Sequence, residues 1–133
     1  MPHYQHRRHN KNYLLVHIIF VTKYRKKLFF GPFREDVKQN LFDICRKHHW
    51  YIMRMETDKD HIHILLQYNP TNSISKIVAT LKQQSTYYAW LNHEQLLKKH
   101  YWKERTLWSD GYFVASIGDV SKKTIEHYIE NQG

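Results

Sequence analysis

The order of strand-like and helix-like segments in this chain predicts an α+β fold built around one antiparallel sheet. Three observations carry that prediction. Runs rich in β-branched and aromatic residues recur at positions 13–22, 50–56, 61–68 and 112–117, the composition of pleated, half-buried strands. Two intervening stretches instead repeat apolar residues every three or four positions, the period of an amphipathic helix. Finally, 133 residues with only 4 Gly and 3 Pro suit a single core with short connections rather than a long flexible linker.

Residues 13–22 are almost continuously apolar, which suits a central strand covered on at least one face. The basic run Lys23-Tyr24-Arg25-Lys26-Lys27 ends it. Gly31-Pro32 combines a turn with a helix start, after which Phe33, Val37, Leu41, Ile44 and His48 share one face of a first helix. Cys45, the only cysteine, excludes an internal disulfide or a multi-cysteine zinc site and reads as a small buried hydrophobe. Residues 50–56 and 61–68 flank the turn Asp58-Lys59-Asp60 and form a hairpin. Ser73 caps a second helix with Ile74, Ile77, Val78, Leu81 and Tyr88 as its buried stripe and Lys76, Lys82 and Gln83 outside, ending near Trp90. The polar residues 93–105 read as a short helix or loop. Ser109-Asp110-Gly111 turns the chain into the last strand, and Ser121 caps a terminal helix that sets Ile125, Tyr128, Ile129 and Gln132 on one face.

The resulting order, β-α-β-β-α-β plus a C-terminal helix carrying Tyr128, is the ferredoxin-like arrangement, which RNA-recognition domains share in layout. Two helices cover one face of the sheet and the other is expected to be open. Residues 13–133 thus read as one domain, preceded by a basic, histidine-rich tail over residues 1–12.

Lys and Arg number 21 against 12 Asp and Glu, a formal charge of +9 before any of the 11 His takes up a proton. Such a balance favours polyanionic partners, nucleic acid first and an anionic membrane second. No stretch reaches the roughly 18 apolar residues of a membrane span, and residues 1–12 lack the apolar core of a signal peptide, so a cytoplasmic protein is expected. Basic and aromatic residues interleave in KYRKK (23–27), LKQQSTYYAW (81–90) and HYWKERTLW (100–108). That mixture tracks a phosphate backbone while stacking unpaired bases, although some of these aromatics also suit a core position.

On a strand, alternate side chains share a face. His61 and His63 therefore project together, while Ile62, Ile64 and Leu66 enter the opposite layer. With 11 His in 133 residues, about one His-x-His arises by chance, so spacing alone does not separate a ligand pair from two surface histidines. Placement adds weight, because imidazoles on the open side of a strand whose other side is apolar fit a metal or phosphate site. Tyr128 and Gln132 stand one helical turn apart, on a stripe that also offers Tyr128 a packing role beside Ile125 and Ile129. Chemically the four side chains are compatible. Two neutral imidazoles and an amide oxygen hold a divalent ion without reducing its charge. A phenol with an ordinary pKa of about 10 needs such a cation nearby to act as a nucleophile at neutral pH. A phosphotyrosine ester keeps the energy of the broken phosphodiester, so a strand can be cut and rejoined without a nucleotide cofactor.

With these residues in hand, the chain resembles the TnpA-type single-tyrosine HUH transposases of small insertion sequences that move as single-stranded DNA. The likeness spans nearly all of residues 11–132 and rests on HIIFVTKYRKKLF, DHIHILL, SISKIVATLK, WSDGYFVASIGDVS and the terminal YIENQ. It implies that His61, His63 and Gln132 are metal ligands for Mg²⁺ or Mn²⁺ and that Tyr128 is the catalytic nucleophile, forming a 5′-phosphotyrosine link and freeing a 3′-hydroxyl. It further implies recognition of single-stranded DNA with hairpins near the element ends. A homodimer is expected, in which the tyrosine helix can complete the partner's active site. The histidine-rich tail is longer than the family pattern requires. Two other readings fit the same fold: a non-catalytic ferredoxin-like module that binds single-stranded nucleic acid on its sheet, and a domesticated or replication-type HUH nickase.

Overall fold

The computed structural model describes residues 14–116, 127 and 129–131. Six elements follow one another as the periodicities predict: β1 (Leu14–Val21), α1 (Gly31–Lys47), β2 (Tyr51–Asp58), β3 (His61–Tyr68), α2 (Ile74–His100) and β4 (Phe113–Ser116). The sheet order is β2-β3-β1-β4, and every neighbouring pair is antiparallel. This is the ferredoxin-like order. The β1-α1-β2 crossover leaves a gap between its strands, and the tight hairpin folds β3 back into that gap.

Alternation along the two central strands builds the core. Val16, Ile18 and Phe20 of β1 and Ile62, Ile64 and Leu66 of β3 are each no more than 4% exposed. They join Phe33, Val37, Leu41 and Ile44 of α1 and Ile77, Val78 and Leu81 of α2 in one cluster. Each such side chain contributes roughly 1.5–3 kcal/mol by leaving water. Cys45 belongs to this core as expected, and burial pushes its thiol up to about 12. Ser73 caps α2 as expected, its hydroxyl accepting from the Lys76 amide at 3.2 Å.

Four expectations need correction. First, α2 does not end near Trp90 but continues to His100, broken only at His93 (φ −137°, ψ 40°). The His93 ring packs edge-on against Phe33 and its Nε2 lies 2.6 Å from the Asp36 carboxylate, so a tertiary contact to α1 sets the break. Leu97, fully buried, anchors the continuation that a mostly polar sequence concealed. Second, Tyr88 is exposed; the buried stripe passes through Ser85 and Ala89, and Ser85 accepts a hydrogen bond from the Trp108 indole at 2.9 Å. Third, Lys82 is not left outside. Its ammonium donates to the carbonyls of Ser109 and Gly111 at 2.8 and 2.6 Å and pins the turn that leads into β4. Fourth, the first helix's apolar face ends at Ile44 and Cys45, because His48 is its C-cap and stacks on Trp50.

The chain after α2, the end of the stretch read as a short helix or loop, is also packed. Tyr101 donates its hydroxyl to the Lys23 carbonyl at 2.8 Å and the Trp90 indole donates to Thr106 at 2.8 Å. Among the described residues, no helix is long and apolar enough to cross a membrane. The expected tail of residues 1–12 and the expected cap at Ser121 lie outside the described residues.

Candidate functional site

The face of the sheet turned away from the helices carries the histidines. Cross-strand register sets His63 opposite Ile19, His61 opposite Val21 and His17 opposite Leu65. A bulge between Ile52 and Arg54 in β2 resets its phase, so that Glu56 pairs with His63 and Asp58 with His61. Without that extra residue the alternation of β2 would be inverted beyond it. Polar groups thus flank the histidines on the β2 side, and apolar Ile19 and Val21 flank them on the β1 side.

His61 is oriented by its chain neighbour. Its Nδ1 lies 3.1 Å from Asp60 Oδ1; an ionised carboxylate only accepts, so Nδ1 carries the hydrogen and Nε2 presents its lone pair. Asp60 is itself held by Arg25, whose Nε donates to Oδ2 at 3.2 Å. Burial alone would raise the Asp60 pKa, but the hydrogen bonds and charges of His61 and Arg25 hold it below its ordinary value. The backbone fixes the same corner, since Thr22 donates its amide to the Asp60 carbonyl at 2.9 Å and Phe29 donates to Lys59 at 3.0 Å. Arg25 and Asp60 are thus brought together by the turns after β1 and before β3.

His63 has a different partner. Its Nε2 lies 2.8 Å from Nδ1 of His17 on β1, with ring centroids 5.0 Å apart. Two neutral imidazoles can share one hydrogen in this way, whereas two imidazolium rings cannot. Burial lowers the pKa of both below the usual histidine value, with His17 and Arg54 adding to the effect at His63, and Arg54 at His17. Both rings are therefore held in the neutral form that a ligand or a hydrogen-bond acceptor requires.

Sequence reasoning missed His17 and the roles of Asp60 and Arg25. The signal was available for His17, because it shares strand parity with Ile19 and Val21. Reading residues 13–22 as an almost continuous apolar run hid the histidine in its middle. Among the described residues, no group of three or more His, Cys, Asp or Glu draws together as a complete metal cage. His61 and His63 therefore offer part of a donor set. Two neutral nitrogens, one of them backed by a carboxylate, are donors to a divalent ion that leave its charge intact and its other positions free for oxygen ligands.

Tyr128 and Gln132 lie outside the described residues. Their neighbours do not. His127, Ile129 and Glu130 are helical, and Asn131 donates its amide to the His127 carbonyl at 3.3 Å. Ile129, 6% exposed, is buried with Ile19, Val21 and partly buried Phe113 in a second apolar cluster. The sequence predicts an open face, but Ile129 covers part of it. Ile129 is seated on the residues opposite His63 and His61.

Comparison with known proteins agrees with this fold and its motifs. The transposase of insertion sequence element IS200 from Salmonella typhimurium is 34% identical over 127 residues, covering 96% of this chain and 80% of that protein. The ISDra2 transposase TnpA of Deinococcus radiodurans is 30% identical over 119 residues, covering 90% and 84%. A crystal structure of a Deinococcus radiodurans transposase superposes with a TM-score of 0.82 at 29% identity, over 90% of this chain and 91% of that one. A REP-associated tyrosine transposase bound to a REP hairpin shares the fold at a TM-score of 0.57 and 11% identity, over 90% and 64%. A family model described as IS200-like transposase matches residues 10–132, and the chain accordingly belongs to the IS200-like family of DNA transposases.

Proposed function

We propose that this transposase cuts and rejoins single-stranded DNA at insertion-sequence ends through a covalent tyrosine intermediate. His61, His63 and Gln132 hold Mg²⁺ or Mn²⁺, and Tyr128 is the nucleophile. When bound, the ion withdraws charge from the scissile phosphate and favours the phenolate. Asp60 keeps the His61 tautomer that offers Nε2, and burial keeps His63 neutral. The Tyr128 oxygen forms a bond to phosphorus as the bond from phosphorus to the 3′ oxygen breaks; that oxygen takes a proton and leaves as a 3′-hydroxyl. Rejoining runs the same exchange in reverse, with a 3′-hydroxyl attacking the phosphotyrosine and returning the phenol.

The observation that carries this reading is the burial of Ile129 against Ile19 and Val21, which are the register partners of His63 and His61. A residue adjacent in sequence to Tyr128 is packed beside the histidine pair, although the two segments are far apart along the chain. DNA with hairpins near the element ends is the substrate, and a homodimer whose tyrosine helices can serve either site is the working unit.

The test mixes purified protein, Mn²⁺ or Mg²⁺ and hairpin-bearing single-stranded DNA, and follows a detergent-resistant protein–DNA adduct. Tyr128→Phe should bind the hairpin as wild type does and lose the adduct by orders of magnitude. An adduct formed as well as by wild type overturns the assignment. His61→Ala should weaken Mn²⁺ binding measured by calorimetry, and an unchanged affinity removes it from the ligand set. Joining of two element ends distinguishes a transposase from a nickase.

A further inference from the structure

The basic and aromatic runs 23–27 and 100–108 are distant in sequence but meet in the fold. Between them lies a hollow of about 220 Å³, lined by Tyr24, Lys26, His100, Tyr101, Trp102 and Lys103. Tyr101 forms its floor: the ring is buried, its hydroxyl is engaged by the Lys23 carbonyl at 2.8 Å, and burial pushes the phenol above its ordinary pKa. Tyr24 and Trp102 form its walls and are 60% and 71% exposed. Large aromatic faces left in water beside a concavity are costly for a protein with no use for them. Trp102 and Lys103 also line an adjoining hollow of about 260 Å³, which adds Lys98 and Arg105 to the rim together with Glu94, which lies 3.8 Å from each of them. Glu104 is the acidic residue lining the first hollow, and it is matched by Lys23 at 2.8 Å.

The backbone is bent to present this surface. Tyr24 and Arg25 have φ values of 60° and 53°, a left-handed conformation that residues with a Cβ rarely adopt. The bend divides the two side chains. Tyr24 turns to Tyr101, with ring centroids 6.4 Å apart, and Arg25 turns back to Asp60 at 3.2 Å. One turn therefore carries a hollow wall on one side and, through Asp60, the support of His61 on the other.

We infer that the Tyr24–Trp102 hollow binds an unpaired base of the DNA, stacked on these rings, with the adjoining phosphates held by Lys26 and Lys103. The inference rests on the DNA-cutting role proposed above and adds a recognition site outside the histidine face. Planar rings accept any base by stacking, and lysines at the rim follow the backbone without reading sequence. The charge complementarity is local as well as global, because Lys26 and Lys103 line the hollow itself and its Glu104 is already paired with Lys23.

The four tryptophans provide the assay. Trp50, Trp90 and Trp108 are at most 5% exposed, whereas Trp102 is 71% exposed, so quenching of intrinsic fluorescence by stacked DNA reports chiefly on Trp102. The probe is a hairpin oligonucleotide with unpaired flanks, compared with the same hairpin lacking them, using full-length Tyr128→Phe to prevent cleavage. Quenching should follow the unpaired flanks and weaken with added salt. By anisotropy, Trp102→Ala and Tyr24→Ala should each lower affinity roughly tenfold, while Phe42→Ala on α1 leaves it unchanged. Lys103→Gln, which leaves both rings in place, should lower affinity less and flatten the salt dependence. Tight DNA binding without quenching, or full affinity in both ring variants, overturns the hollow as a base site and leaves the proposed cleavage chemistry standing. Absence of DNA binding by the Tyr128→Phe chain and by wild type overturns both.

Discussion

The two faces of the same pair of strands differ by one residue of phase and by almost everything else. Toward the helices, Ile18, Phe20, Ile62 and Ile64 are fully buried in a continuous apolar layer. Toward the other side, His17, His61 and His63 meet polar partners, and Ile19, Val21 and Ile129 pack with partly buried Phe113. The candidate site is therefore built on the two central strands, whose opposite face is buried. His17 and His63 each sit between two residues of the core, and His61 sits between buried Asp60 and core Ile62, so their backbone positions are set by packing that the histidines do not themselves need to supply.

The largest effect should separate the two faces. Ile64→Ala opens a cavity in the core and should cost about 2–5 kcal/mol, whereas His63→Ala, one residue away, loses a shared imidazole hydrogen bond worth about 0.5–1.5 kcal/mol. Urea unfolding with an unchanged m-value measures both. A His63 variant as unstable as the Ile64 variant would make the histidine face a second structural core and not a site.

A smaller effect lies at the sheet edge. Lys82 joins α2 to the carbonyls of Ser109 and Gly111, and Gly111 turns the chain with a φ of 76°. Lys82→Met keeps most of the aliphatic stem and removes the donor, which should cost about 1–3 kcal/mol. Amide hydrogen exchange should speed up in β4 before it does in β1 or β3. Uniform acceleration across the sheet would show that Lys82 supports the whole core rather than this turn.

How legible each face was in the sequence follows from the same contrast. The helix-packed face announces itself, because Ile62, Ile64 and Leu66 alternate with other residues, and Phe33, Val37, Leu41 and Ile44 recur with helical period. His61 and His63 could be placed on the opposite face by parity alone. Their partners could not. His17 reaches His63 through strand pairing across 46 positions, and Arg25 reaches Asp60 across 35; no local pattern encodes such distances. Lys82 and His93 were misread for a related reason. A cation on a helix is ordinarily solvated, and a polar residue such as His93 ordinarily ends an apolar stripe, but here each is captured by a carbonyl or carboxylate from a remote segment.

The smallest effect concerns Asp60, the carboxylate through which the structural and site-bearing parts of the hairpin meet. Its folded pKa lies below the ordinary 3.8 because hydrogen bonds from His61 and Arg25 outweigh its burial. The unfolded chain therefore binds this proton at a higher pH than the folded chain does. Between the two values the unfolded state holds more protons, so stability falls as pH falls through that window. The contribution is whole above about pH 5 and is lost once the pH drops below the folded value. Asp60→Asn should lower stability at neutral pH by about 1 kcal/mol or less, since Arg25 is 40% exposed and solvent screens its share. It should also flatten the acid limb of the stability curve between about pH 5 and 3. Because asparagine still accepts from His61 Nδ1 but without charge, Mn²⁺ affinity should fall roughly tenfold rather than vanish. An acid limb identical to wild type would mean that Asp60 merely shapes the turn. Unchanged Mn²⁺ affinity beside a flattened limb would mean that it holds Arg25 but does not tune His61.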